Sequence, residues 1–238
     1  MLIRRWLRAV LLLTLATMPQ YAKVFDKSTT IAGLTVYFKV VLPNDYDPAK
    51  PYPAVLAFPP GSQAMDMVMV TLQQNWAAEA QRRKYIVVIP AAPAGHSFTA
   101  DGAKVFPEFL DYLLSEYKIS DNKFFIAGMS NGGLSAFSIA ASYPKYFWSV
   151  TGFPGYLRDA SPERVNALSK LCINMYVGGD DTQWLIAMKE QEGDFRQRGF
   201  NVQLSVEAGQ GHVMSTLMGD RAARLFQDME RARKGCSK

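Results

Sequence analysis

An apolar run that stops at a glycine-flanked serine and passes directly into a helix-forming segment leaves a chain few ways to fold. Residues 124–133 read Phe124-Phe125-Ile126-Ala127-Gly128-Met129-Ser130-Asn131-Gly132-Gly133. The run before Gly128 predicts a buried strand. The small residues from Gly132 to Ser142, ended by Pro144, predict a helix that can pack closely on a sheet. Between the two, the chain must turn sharply enough to strain the serine backbone. Glycines two residues before and two residues after Ser130 remove Cβ atoms that would collide in such a turn. The hydroxyl then stands clear of the sheet above the N-terminus of the following helix. G-x-S-x-G alone is a weak pattern, but between a strand and a helix it marks a serine nucleophile whose partners can be sought.

A serine nucleophile needs a general base, usually histidine at neutral pH. The chain has two histidines, His96 and His212, and only His212 follows Ser130. It sits in the glycine-rich stretch Ala208-Gly209-Gln210-Gly211-His212 after the alternating segment Val202-Gln203-Leu204-Ser205-Val206, a strand end running into a loop. An acid is expected between them, after another strand. Cys172-Ile173-Asn174-Met175-Tyr176-Val177 reads as that strand, and Gly178-Gly179-Asp180-Asp181 follows. Strand-end geometry favours Asp181, with Asp180 the alternative. The intervals, 51 residues from Ser130 to Asp181 and 31 from Asp181 to His212, leave no room for a large inserted domain.

The fourth requirement is a pair of donors for an oxyanion. The backbone N–H of Asn131 supplies one. The other is expected from the loop Pro59-Pro60-Gly61-Ser62-Gln63, which follows the strand Ala54–Phe58. Proline has no N–H, so Ser62 or Gln63 must donate, and Ser62 is favoured.

The N-terminus carries an address. Residues 1–8 are basic and residues 9–16 apolar, the n- and h-regions of a secretory signal. The apolar run is short for a transmembrane span. Cleavage is expected near Ala22, with an uncleaved membrane anchor as the alternative, so residues 23–238 form the mature domain, secreted or periplasmic. Removing residues 1–22 takes three arginines and no acidic residue, so the formal charge falls from +5 to +2. The basic balance therefore does not indicate a nucleic-acid partner. Cys172 and Cys236 suit an oxidising compartment, either as one disulfide or as two free thiols. No CxxC or ligand spacing predicts a metal site, and no cofactor is required.

The remaining pattern alternates strands with helices. Val36, Phe38 and Val40 face one side of an early strand, and Tyr85–Pro90 and Phe147–Phe153 give further strands. Helices are predicted over residues 66–83, 104–117, 183–199 and 213–233. This order predicts an α/β architecture, a mostly parallel central sheet with helices on both faces.

With these residues in place the chain resembles α/β-hydrolases of the esterase kind, in particular secreted polyhydroxybutyrate depolymerase-like and feruloyl or acetyl-xylan esterase-like proteins. The resemblance rests on Val41-Leu42-Pro43-Asn44-Asp45-Tyr46, Tyr52-Pro53-Ala54-Val55-Leu56, Gly128 to Gly133, Gly178 to Asp181 and Gly211-His212, and spans residues 34–225. It departs from the family at Pro60-Gly61, where many hydrolases have His-Gly. It implies an α/β-hydrolase fold and a carboxylic-ester hydrolase with Ser130, His212 and Asp181 as its triad. A serine peptidase or acyltransferase on the same triad, or a silent fold that binds glycan or polymer, are the alternatives. The segment between the sixth and seventh strands, residues 154–171, is only 18 residues. Without a large cap domain, the cleft is expected to be open and suited to bulky, aromatic or polymeric esters. His96, Phe98, Phe153, Tyr156 and Trp184 are candidates for its rim. The oligomeric state is not legible.

Overall fold

The computed structural model describes residues 22–236. The expected leader segment lies outside the described residues but for Ala22. Eight strands form one sheet in the order β1-β2-β4-β3-β5-β6-β7-β8. They are β1 Lys23–Ile31, β2 Leu34–Leu42, β3 Tyr52–Phe58, β4 Ile86–Pro90, β5 Ile119–Gly128, β6 Phe147–Gly152, β7 Cys172–Gly178 and β8 Val202–Glu207. β2 runs antiparallel to β1 and β4, and every pairing from β4 to β8 is parallel. The C-terminal ends of β3, β5, β7 and β8 therefore open on the same edge, where ligands of open α/β sheets bind.

Strand alternation distributes side chains into two cores. Phe124 and Ile126 of β5 join Leu56, Val88 and Val177 on one face. Phe125 and Ala127 join Val55, Val87 and Tyr176 on the other. The first face is covered by α3 Glu108–Glu116, α4 Asn131–Ser142, α5 Pro162–Ala167 and α6 Thr182–Gln197. The second is covered by α1 Met65–Thr71, α2 Ala77–Arg83 and α7 Ala223–Arg233. This is the α/β-hydrolase arrangement. Residues 154–171 hold only the short helix α5 and a 3-10 turn at Leu168–Lys170, so among the described residues this segment builds no cap domain. Among the described residues no helix is long and apolar enough to cross a membrane.

Some boundaries differ from expectation for local reasons. Between α1 and α2 the chain passes through a π-helical turn, Leu72–Trp76, which places Trp76 in the second core. Proline disfavours helical backbone at the residue before it, and Phe106 is extended at ψ 144°, so α3 starts only at Glu108. Gly219, at φ +57°, interrupts the expected 213–233 helix, leaving two 3-10 turns before α7. β1 has no apolar face to announce it. Most of its residues are exposed, and it is held by its full backbone register with β2. Cys172 and Cys236 form a disulfide with Cα atoms 5.6 Å apart, tying the segment that follows α7 to the start of β7.

Candidate active site

Ser130 stands immediately after β5 and before α4, at φ 57° and ψ −121°. That backbone region is rare for a residue with a side chain and stores about 1–3 kcal/mol of strain. The neighbourhood permits it because the flanking glycines bring backbones into close approach. A Cβ on Gly128 would lie 2.1 Å from the Gly132 carbonyl oxygen, and one on Gly132 would lie 2.2 Å from that of Phe58. The Ser130 N–H donates to the Pro154 carbonyl at 2.8 Å, which ties the turn to the loop after β6.

The loop after β8 brings His212 to this serine. Its Nε2 is 2.8 Å from Ser130 Oγ, and its Nδ1 is 2.7 Å from Asp181 Oδ2. The carboxylate that faces the imidazole is thus that of Asp181. Asp180 is exposed, and only its backbone N–H is engaged, with Gln210 O at 3.0 Å. The Asp181 side chain is 14% exposed and that of His212 is 38% exposed, so one end of this chain of groups is sheltered and the other open. Such a gradient suits a base that must meet substrate while its orienting acid stays screened from water.

Residues 59–63 lie beside this chain, the Gly61 carbonyl oxygen accepting from Asn131 Nδ2 at 2.9 Å. Among the described residues, Asn131 N–H, the first amide of α4, has no partner, and neither does Ser62 N–H. Gln63 N–H is occupied by Pro60 O at 3.1 Å, so of Ser62 and Gln63 only the Ser62 amide is open to a ligand. Asn131 and Ser62 are both exposed and Ser130 is partly so.

The rim candidates divide. Trp184, near the start of α6, has its ring 5.2 Å from the His212 imidazole and 5.4 Å from Tyr156, forming an aromatic wall next to His212. Phe98 and Phe153 do not line the cleft. Phe98 is wholly buried, edge-on to Phe58 and packed near Phe106, and Phe153 is buried edge-on to Trp76. Both follow strand ends, but their chains fold back so that the ring fills core rather than rim. His96 bonds within its own loop, Nδ1 to Asp101 Oδ2 at 2.6 Å, and the hydrogen bond holds the Asp101 carboxyl below its ordinary range. It forms no hydrogen bond with Ser130 or His212. Among the described residues no cluster of His, Cys, Asp and Glu could hold a metal ion.

Residues 29–215 match the model of a protein family described as "Putative esterase". No curated protein matches the sequence. Among solved structures, a thermostable esterase is similar at TM-score 0.66 and 16% identity over 90% of this chain, which spans 62% of that protein's length. The feruloyl esterase module of Clostridium thermocellum is similar at TM-score 0.68 and 18% identity, covering 82% of this chain and 83% of the module. An S-formylglutathione hydrolase from Agrobacterium tumefaciens gives TM-score 0.65 and 17% identity, covering 91% of this chain and 97% of its own. At these identities the likeness is one of fold.

Proposed function

The chain belongs to the esterase family whose model matches its residues 29–215, and on that premise we propose that it hydrolyses carboxylic esters through Ser130, His212 and Asp181. The observation that carries the reading is the imidazole of His212 spanning the gap between Ser130 Oγ and Asp181 Oδ2 at 2.8 and 2.7 Å. In the proposed reaction Ser130 Oγ attacks the ester carbonyl carbon while His212 Nε2 takes its proton. Asp181, at Nδ1, holds the tautomer that leaves Nε2 free to accept and stabilises the imidazolium that forms. The N–H groups of Asn131 and Ser62 face the developing oxyanion, where a single donor contributes about 3–4 kcal/mol to the transition state. His212 then protonates the departing alcohol. Water, activated by the same imidazole, attacks the acyl-enzyme and releases the acid, restoring Ser130.

The open edge supports a bulky or polymeric ester. The Tyr156–Trp184 pair beside His212 offers a surface on which an aromatic acyl group could stack. Export to the periplasm or medium is part of the same reading. It is supported by the basic and apolar stretches of residues 1–16 and by the disulfide, which suits an oxidising compartment.

The test is turnover of a p-nitrophenyl acyl series alongside methyl ferulate, acetylated xylan and polyhydroxybutyrate, each with wild type and Ser130→Ala. Wild-type turnover that disappears in Ser130→Ala is expected. Equal activity in the variant would refute the assignment. Turnover of amides but not esters would move the reading to a peptidase.

A further inference from the structure

We propose that Gln63 is a positioning residue that sets the oxyanion site, holding the Ser62 amide in register with the Asn131 amide through Ser135. The inference rests on the ester-hydrolysis reading above and assigns work to a side chain that reading does not use.

Gln63 is 1% exposed, and an uncharged amide so deep in the protein costs stability unless its polar atoms are bonded. All of them are. Its Oε1 accepts the Phe98 N–H at 3.3 Å, and its Nε2 donates to Ser135 Oγ at 3.0 Å. Ser135 Oγ in turn donates to the Asn131 carbonyl oxygen at 2.9 Å. The Phe98 N–H can only donate, so it fixes which end of the Gln63 amide is oxygen. The hydroxyl proton of Ser135 is committed to the Asn131 carbonyl oxygen, and the Ser135 oxygen accepts from Gln63 Nε2 on its other side. The result is one directed chain from the 92–98 segment through the oxyanion loop to the first residue of α4, in which each bond polarises the next.

A second link runs parallel to it. Asn131 Nδ2 donates to the Gly61 carbonyl oxygen at 2.9 Å. Ser62 is therefore bracketed. The residue before it is bonded to the Asn131 side chain, and the residue after it is bonded, through Ser135, to the Asn131 backbone. Gln63 itself sits at φ 59°, with its N–H on Pro60 O and its carbonyl oxygen accepting from Ala92 at 2.9 Å. A core filler at this position would need none of these bonds. Their endpoints are the two segments that carry the free amides, so the network fixes the distance between two donors that belong to different parts of the chain. Such preorganisation matters because catalysis falls by about a hundredfold when a reacting geometry slips by about 1 Å.

The experiment measures kcat and KM for a p-nitrophenyl acyl ester, and Ki for an aryl boronic acid that forms a tetrahedral adduct on the serine. The proteins are wild type, Gln63→Met, Ser135→Ala and the double variant, each verified as folded by circular dichroism. Ser135→Ala removes one hydroxyl and leaves the loop sequence intact, which keeps the test open if Gln63→Met does not fold. Each single variant is expected to lose about tenfold to a hundredfold in kcat, less than or similar to deletion of a donor. Its KM should stay within about threefold, and boronate Ki should rise by the factor that kcat loses, since both report tetrahedral geometry. The double variant should be little worse than either single, because both break the same chain. Folded variants with wild-type kcat and Ki, losses confined to KM, or losses that multiply in the double variant would each overturn the proposal. Wild-type turnover abolished by Ser130→Ala, with unaffected Gln63 and Ser135 variants, overturns the positioning role alone. A wild type with no ester turnover overturns both readings.

Discussion

The disulfide offers the perturbation whose size follows most directly from the fold. Cys172 and Cys236 are 64 residues apart in sequence. Closing a loop of that length removes about 4 kcal/mol of conformational freedom from the unfolded chain near room temperature. For a domain of this size each kcal/mol moves the unfolding midpoint by roughly 2–4 °C, so opening the bond should lower Tm by roughly 8–16 °C. The folded state has little reason to offset this. Cys172 is 5% exposed and packs in the second core with residues of α7, and Cys236 is partly buried against the same core.

The segment enclosed by the bond, residues 172–236, contains both Asp181 and His212, whereas Ser130 lies outside it. The bond itself joins the start of β7 to the end of α7, at the opposite end of the strand from Asp181. Stability and catalysis should therefore separate. Thermal unfolding followed by circular dichroism, on oxidised protein, protein held in reductant, and Cys236→Ser, should show the same large drop in the last two. Initial rates of ester hydrolysis at room temperature should be unchanged, while the half-life of activity near the lowered midpoint shortens. A Tm that moves by less than about 2 °C on reduction would refute the loop-entropy argument. A fall in room-temperature kcat would refute the separation of the two ends of β7.

Two further perturbations test the elbow and the acid side of stability. Gly132→Ala would place a methyl group 2.2 Å from Phe58 O and 2.6 Å from Pro59 O, a collision with backbone at the root of the oxyanion loop. It should cost about 1–3 kcal/mol of stability and about a hundredfold in kcat, read by thermal unfolding and steady-state kinetics; a fully active variant would show that the loop can retreat without consequence. Glu207, at the end of β8, accepts two hydrogen bonds from the Arg224 guanidinium, both at 2.9 Å, which hold its carboxyl below the ordinary value of 4.5. Because the folded pKa is depressed, this pair stabilises fully above pH about 4.5 and its contribution is lost as pH falls through the folded value. Stability measured by urea titration against pH should thus decline on the acid side, and Glu207→Gln should flatten that decline; an unchanged slope would exclude the pair as a contributor.

What the sequence made legible were features with a local cause. The alternation of Val36, Phe38 and Val40, the apolar run of β5 and the glycine spacing about Ser130 each determine their own backbone, and His212 followed by elimination. What it left open depended on how loops return. Asp180 and Asp181 leave the same strand one residue apart, so strand-end geometry favours Asp181 but leaves Asp180 as an alternative, and the contact itself is made only by the returning loop that carries His212. Phe98 and Phe153 were expected at the rim because they follow strand ends, but position along the chain does not set the direction of a ring. Each turns inward against an aromatic partner, Phe58 or Trp76. β1 was missed because its residues carry no periodic apolar face, and its pairing with β2 is a matter of backbone hydrogen bonds, which any sequence without proline can make. Gln63 shows the same limit from the other side. In the sequence it is a polar residue in a glycine-proline loop, ordinary for a turn. Only the fold brings it against Ser135, 72 residues away, and converts a turn residue into the link between two halves of one site. The elements were therefore readable where the cause lay within a few residues. The site's finer geometry was not, because it is fixed by bonds between segments that only the sheet order makes neighbours.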